Sequence, residues 1–244
     1  MPYFTTLLAY SRKPEMYDLL KELIRLSALP IKQIQDSFIC AIDATGMGTF
    51  QLNGGWLKFK HGENKEVSFR NWVKLHAVTD TATNIFLSAD ITIGKANDSP
   101  ELEHLMNNID FPISALTGDK AYCSRKNFEI VSNKGATPYL LFKKNALPNK
   151  KGSLIWSKCF KLYTEKPQEY LQIYHKRSNI EATFGALKKR FGDTVHAKTL
   201  NGQKTEALLK VLLHNLACLI KTYYEQNIEL QFSTETPKAP IKIF

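Results

Sequence analysis

The chain has 244 residues, 43% of them hydrophobic and 23% charged, with a formal net charge of +10. That length and composition predict one large globular domain, or one domain with a small appendage. The longest apolar stretch, 207–220, is broken by Lys210, His214 and Asn215, and no apolar leader with a cleavage site begins the chain, so neither a membrane span nor a signal peptide is predicted.

The first third of the chain is predicted to be helical and then β-rich. Residues 1–36 form a short helical N-terminal segment, because 16–29 carries apolar residues near helical spacing and Pro30 ends the run. Three apolar runs of strand length follow, at 37–43, 72–79 and 85–93. The link between the last two is short, which predicts an antiparallel hairpin. The polar, glycine-bearing stretch 51–69 is expected to be a loop or a hairpin.

Helices and strands alternate in the middle of the chain. Ser99 and Pro100 predict the start of a helix that runs to about Ile109, and Ser124 predicts the cap of a helix that ends near Asn133. Short apolar strands are predicted at 113–117 and 137–142. This order predicts an α/β fold with a mixed central sheet and helices on both faces.

The last hundred residues are predicted to be basic and then helical. The basic stretch 143–172 has no predicted structure, and helices are predicted at about 173–190 and 202–226. The second helix is apolar on nearly all sides, so we expect it to be buried. The tail, 229–244, is expected to be loose.

Charge and cysteine content bear on partners and compartment. Between Lys143 and Arg190, twelve Lys and Arg residues stand against three acids, so nearly all of the positive excess lies in one segment. Such a block fits the binding of a polyanion, although a solvated lysine-rich face has the same composition. The four cysteines show no zinc-type spacing and are expected to be buried or free thiols in a reducing cytoplasm.

Two acids follow predicted apolar strands, and a third lies in a predicted helix. Asp43 and Asp119 end their strands, where ligands gather in open α/β sheets. Mg²⁺ prefers carboxylate oxygens, but capping of the next loop would also explain either acid alone. Glu181 shares a face of the helix 173–190 with Tyr174, Arg177 and Lys188, beside an apolar stripe. A carboxylate beside cations fits a phosphodiester site, and a plain Arg177–Glu181 helix pair is the alternative.

The string Tyr174-x2-Arg177-x3-Glu181-x6-Lys188 resembles the YREK signature of bacterial and archaeal insertion-sequence transposases in groups four and five. Asp43 in AIDATG and Asp119 in LTGDKAY resemble the first two acids of the DDE triad in that family. The run RNWVKLHAVTD is also similar to the family's segment between those acids, and the resemblance covers roughly residues 37–225. Such a combination is far more specific than a single short motif.

This resemblance implies an RNase H-like catalytic domain over 37–228, with 143–172 as a possible small insertion. It implies that Asp43, Asp119 and Glu181 hold two Mg²⁺ or Mn²⁺ ions, about 3.5–4 Å apart in such sites. The expected reaction is cleavage of DNA at insertion-sequence ends, followed by attack of the freed 3′-hydroxyl on target DNA. The expected partners are double-stranded DNA, as transposon ends and target, and a second copy of the chain in a synaptic homodimer. We expect a cytoplasmic, nucleoid-associated protein that does not contact membrane.

Tyr174, Arg177 and Lys188 are implied to contact DNA near the cleaved phosphate. Further DNA-contact candidates rest on charge and position only: Lys120, Lys176, Lys189 and Arg190. Only 42 residues precede Asp43, fewer than relatives use to read transposon ends. Two alternatives therefore stay open: a transposase relic that binds DNA without transposition, and another RNase H-like nuclease.

Overall fold

A computed structural model describes residues 3–49, 72–94, 96–149 and 152–226. The predictions for 51–69 and for the tail 229–244 lie outside these ranges. The described strands form one mixed sheet in the order β3-β2-β1-β4-β5, with β6 paired to β1. The strands are β1 (Phe38–Thr49), β2 (Trp72–Asp80), β3 (Phe86–Ile93), β4 (Ile113–Gly118), β5 (Thr137–Leu140) and β6 (Thr194–Val195). The predicted hairpin is confirmed, since β2 and β3 pair antiparallel.

Helices cover both faces of the sheet, as the element order predicts. They are α1 (Phe4–Ser11), α2 (Pro14–Ala28), α3 (Asp98–Asn107), α4 (Arg125–Asn133), α5 (Leu154–Glu165), α6 (Pro167–Tyr174), α7 (Ser178–Phe191) and α8 (Leu200–Gln226). Short 3-10 turns occupy Leu29–Gln33, Lys120–Tyr122 and His175–Arg177. In the ranges given above, no helix is long and apolar enough to cross a bilayer.

The core has two halves because successive strand residues point to opposite faces. On β1, Cys40 and Ile42 belong to one apolar cluster, with residues of α3, α4, α5 and α6. Ala41, between them, belongs to the other cluster, with residues of α2, α7 and α8. The fully buried Leu20 and Ile24 of α2 are part of this second cluster. The N-terminal segment therefore packs into the core.

The prediction that the first strand ends at Asp43 is wrong. β1 continues for six more residues because its ladder with β2 runs on to Gly48, and β6 pairs with its last two positions. What ends near Asp43 is the pairing of β1 with β4, whose last pair is Ile42 and Gly118. Asp43 is thus the first residue of β1 beyond its parallel neighbour.

The prediction of one continuous helix over 173–190 is also wrong. α6 ends at Tyr174, a 3-10 turn follows over His175–Arg177, and α7 begins at Ser178. The turn packs against the ends of β1 and β4, and Asn179 donates a hydrogen bond of 2.7 Å to the Thr81 carbonyl. These tertiary contacts fix the break, which the local sequence does not mark with proline or glycine.

The basic stretch 143–172, for which no structure is predicted, is largely helical where described, as α5 and most of α6. Two smaller expectations need correction. α3 begins at Asp98, and its cap position is Asn97 instead of Ser99. β5 ends at Leu140. The cap at Ser124 is confirmed, since its hydroxyl accepts a hydrogen bond from the Asn127 backbone N–H at 3.2 Å.

α8 was expected to be buried, and one of its faces is not. Leu209, Leu213, Leu216 and Ile220 are 36–63% exposed. Polar side chains that interrupt the apolar pattern lie on the buried side instead. Asn215, fully buried, bonds both the N–H and the carbonyl of Phe86 on the edge strand β3 at 2.8 Å. Backbone groups at the edge of the sheet need hydrogen-bond partners. The Asn215 amide of α8 therefore faces β3, and leucines on the opposite side of the helix are exposed.

Candidate active site

The three predicted acids lie around the crevice where β1 and β4 stop pairing. Asp43 is the first residue of β1 past the last β4 pair, and Asp119 directly follows β4. The two strands are parallel, so these residues occupy equivalent positions on neighbouring strands. Glu181 comes from the first turn of α7, on the same side of the sheet as the 3-10 turn that contacts both strands. The fold therefore brings the three predicted acids to one region.

Gly118 permits the close approach of strands just before Asp119. A side chain at this position would place its Cβ at 2.7 Å from Ile42 Cγ2 and 2.8 Å from Leu140 Cδ2. Both contacts are too short for real atoms. The glycine therefore allows β1, β4 and β5 to stay packed up to the residue before the acid.

The turn that carries Asp119 is held by a buried amide. Asp119 Oδ1 accepts a hydrogen bond of 2.6 Å from the Lys120 N–H. Asn127, almost fully buried, donates from Nδ2 to the Tyr122 carbonyl at 2.8 Å and to Ser99 Oγ at 3.0 Å. These bonds tie the Asp119 turn to the first turn of α3. Sequence reasoning missed Asn127, because nothing in its local pattern distinguishes it from an ordinary helix residue.

Arg177 bridges two of the acids. Its Nη1 lies 2.9 Å from Asp43 Oδ2, and its Nη2 lies 2.6 Å from Glu181 Oε1. One guanidinium and two hydrogen bonds therefore set the greatest possible separation of these two carboxylate oxygens. The predicted Arg177–Glu181 pair exists, but the bond from Arg177 to Asp43 was not predicted. Only the fold could reveal it, since 134 positions separate the partners.

The electrostatics of the site centre on Asp43, whose side chain is 23% exposed. Burial raises the pKa of its carboxyl to about 6. The Ala44 N–H and the Arg177 guanidinium lower that pKa, whereas the negative charges of Asp119 and Glu181 raise it. Burial is therefore the main influence on the pKa of Asp43, and the Ala44 N–H and Arg177 do not offset it.

The remaining members of the YREK string lie at different distances from the acids. Burial raises the pKa of the Tyr174 phenol; the adjacent Arg177 lowers it, and the charge of Asp119 raises it. Tyr174 is thus part of the cluster, although it belongs to a different helix from Glu181. Lys188 Nζ donates a hydrogen bond of 2.7 Å to the Gly46 carbonyl, three residues beyond Asp43 on β1.

Of the weaker DNA-contact candidates, Lys120 and Lys176 are exposed and adjoin Asp119 and Arg177 in the chain. Lys189 is exposed on α7. Arg190 lies nine residues after Glu181, two and a half helical turns away, and so on the opposite side of α7.

Arg190 instead lines a groove of about 590 Å³ with Asn84, His214, Cys218 and other residues. Burial lowers the pKa of His214 and raises that of Cys218, and the charge of Arg190 acts to lower both. The structure therefore does not bring Arg190 together with the acids.

The donor set of the site suits a hard divalent cation. Asp43, Asp119 and Glu181 offer only carboxylate oxygens, the ligands that Mg²⁺ and Mn²⁺ prefer. The raised pKa of Asp43 shows a carboxylate that a cation would stabilise. In the described parts of the chain, no three acidic, histidine or cysteine side chains are already gathered closely enough to hold a metal. These residues fit the ion chemically, and Arg177 supplies the positive charge between two of them.

A mixed sheet in the order β3-β2-β1-β4-β5, with one acid on β1 and another directly after its parallel neighbour β4, is the arrangement of an RNase H-like domain. The transposase DDE domain family matches residues 35–216, and the chain belongs to that family. The resemblance in the sequence is thus confirmed at the level of an insertion-sequence DDE transposase. Members of this family act on DNA in transposition and generally use divalent metal ions.

Proposed function

We propose that this chain cuts DNA at insertion-sequence ends and joins the freed ends to target DNA, with Asp43, Asp119 and Glu181 as its catalytic carboxylates. The observation that carries the proposal is the Arg177 bridge from Asp43 to Glu181, at the strand crevice beside Asp119. A plain ion pair on the helix surface would join Arg177 to Glu181 but not to Asp43. Here an acid from β1 and an acid from α7 share one cation, which supports their convergence at one site.

The chemistry has two in-line displacements at phosphorus. In the first, a water oxygen bonds to phosphorus and the P–O3′ bond breaks, which leaves a 3′-hydroxyl and a 5′-phosphate. In the second, that 3′-hydroxyl bonds to a target phosphorus and a target 3′-oxygen leaves with a proton. Two Mg²⁺ or Mn²⁺ ions, held by Asp43, Asp119 and Glu181, would activate the attacking oxygen and neutralise charge on the leaving oxygen. In each step one P–O bond forms and one breaks: the first converts a phosphodiester into a phosphomonoester, and the second exchanges one phosphodiester for another.

The chain's own cations position the DNA. Arg177 and Tyr174 lie beside the acids and supply donors for the phosphate that is cut. Lys188 lies beside β1, with Lys120 and Lys176 exposed on neighbouring turns. These residues are proposed to hold the backbone on either side of the reacting phosphate, and Lys189 to contact DNA further out. Arg190 has the weakest support, since it faces away from the acids.

A homodimer in a synaptic complex is part of the same proposal. Joining both ends of an element needs two active sites, and α8 offers a surface on which a second copy fits. Its exposed residues Leu209, Leu213, Leu216 and Ile220 follow a 4-3-4 spacing typical of helix-to-helix packing. No charged residue is exposed between them, so the stripe does not suit nucleic acid. Two copies of a +10 chain repel least through an uncharged face.

The test of the proposed activity is Asp119→Asn. Nicking of supercoiled plasmid in Mn²⁺ should fall to background, because a metal ligand is lost, while duplex binding stays near the wild-type level. Asp36→Asn, at an exposed position outside the site, is the matched control and should nick normally. Equal nicking by Asp119→Asn and the wild type would exclude this mechanism. Wild-type protein that binds DNA but never nicks would favour the relic alternative.

A further inference from the structure

The Arg177 guanidinium and a divalent cation are alternative partners for the same oxygens. Arg177 occupies Asp43 Oδ2 and Glu181 Oε1 at hydrogen-bond distance. The Arg177 side chain is 22% exposed and that of Asp43 is 23% exposed, so this pair is largely shielded from water. Glu181 is 56% exposed. A divalent ion that draws all three acids to one point would therefore have to separate Arg177 from at least one of them.

The same residue has a second use once it is released. Arginine presents a planar fork of donors that matches phosphate as well as carboxylate. Burial lowers the pKa of Arg177, but Asp43 and Glu181 raise it further, so it is charged at any working pH. A charged and largely shielded guanidinium that loses its carboxylate partners is stabilised when it binds another anion. The anion that the proposed function brings to this crevice is a DNA phosphate.

We propose that Arg177 is a placeholder cation that bridges Asp43 and Glu181 in the metal-free protein and passes to a DNA phosphate when divalent ions bind. The inference rests on the proposed function, and it adds a thermodynamic coupling between metal binding and DNA binding. Without DNA, a metal ion must compete with Arg177 for the carboxylates. With DNA present, the displaced guanidinium has a new partner, so metal and DNA each raise the affinity for the other by the same factor.

The experiment is a calorimetric titration of Mn²⁺ into the whole 244-residue wild-type chain and its variants without DNA. Arg177→Gln removes the competing cation and should bind Mn²⁺ about three- to tenfold tighter than wild type, the range expected for loss of such ion pairs. Arg177→Lys keeps a charge without the two-pronged fork and should lie between them. Lys126→Gln removes an exposed cation that pairs with Glu103 at 2.6 Å instead of with one of the three acids. This control should match the wild type.

A second measurement tests the coupling itself. The affinity for a DNA duplex is measured by fluorescence anisotropy with and without Ca²⁺. The gain in affinity on adding Ca²⁺ should be larger in wild type than in Arg177→Gln, because only the wild type releases an arginine to the DNA. Circular dichroism and thermal midpoints of the metal-free proteins confirm that each variant is folded before it is compared.

The possible results separate this inference from the proposed function. Mn²⁺ binding that Asp43→Asn abolishes, with Arg177→Gln no tighter than wild type, would overturn the placeholder role and leave the catalytic proposal standing. If adding Ca²⁺ raises the DNA affinity equally in wild type and Arg177→Gln, the transfer of Arg177 to DNA is overturned and the catalytic proposal still stands. Absence of any Asp43-dependent Mn²⁺ binding would overturn both. If Arg177→Gln fails to fold, Arg177→Lys decides, and Mn²⁺ affinity no higher than that of the wild type contradicts the proposal.

Discussion

Asp43 should destabilise the metal-free protein at neutral pH, and its replacement by Asn should therefore stabilise the fold. Burial raises the pKa of this carboxyl from 3.8 to about 6. A group with a raised folded-state pKa contributes stability that is present below its unfolded pKa and is lost as the pH rises through the folded value. About two pKa units at about 1.4 kcal/mol each correspond to a loss of about 3 kcal/mol between pH 4 and pH 7. Asn resembles the protonated carboxyl and does not suffer this loss.

Urea denaturation in EDTA at pH 4.5 and pH 8 measures the effect. Asp43→Asn should be more stable than wild type by only about 1 kcal/mol at the lower pH, which lies just above the unfolded pKa, and by up to about 3 kcal/mol at the higher one. The exposed Asp36→Asn should track the wild type at both. Saturating Mn²⁺ should stabilise the wild type and leave Asp43→Asn unchanged, since ligand binding stabilises only the state that binds it. An Asp43→Asn protein that is less stable than wild type at pH 8 would show that the Arg177 pair outweighs burial, and the reasoning would be refuted.

Two further predictions concern partners. Duplex affinity should fall steeply with salt if the segment 143–190 contacts phosphates, and replacing the exposed Lys143 and Lys144 by Gln should reduce the log–log slope by about two; a salt-independent affinity would remove this segment from the interface. Leu213→Lys and Ile220→Lys should abolish concentration-dependent dimers in sedimentation equilibrium, whereas Leu154→Lys, at a leucine of α5 that is also 63% exposed, should not. Wild-type protein that stays monomeric at its highest soluble concentration would contradict the α8 interface.

The sheet could be predicted from the sequence because its signals are local. Apolar runs of strand length, a short link at 80–84 and a serine cap at Ser124 each reflect nearby residues, and the fold contains all three features. The family match over 35–216 also confirms the DDE transposase family that the YREK string and the two aspartates indicated. The roles of the individual site residues stay predictions, to be tested by substitution.

The features that could not be predicted depend on contacts between distant segments. Nothing local to 173–190 marks the break at His175–Arg177, which follows from packing on the ends of β1 and β4. The extent of β1 beyond Asp43 depends on β2 and β6 as partners. The exposed stripe of α8 was missed because periodicity cannot distinguish a leucine that packs from one that does not. Asn215 lies on the buried side because it accepts a hydrogen bond from the Phe86 N–H of the edge strand β3.

The way each acid is held indicates where the site can move. Asp43 is fixed within a ladder that continues on both sides of it, and Asp119 lies in a turn tied down by Asn127. Glu181 has a longer side chain, is 56% exposed, and follows a 3-10 turn instead of a continuous helix. Rearrangement on metal binding should therefore be confined to Glu181 and Arg177, while the two aspartates keep their places. Under the proposed function, a rigid pair of aspartates with one adjustable glutamate would let the same fold hold its acids apart without metal and bring them together with it.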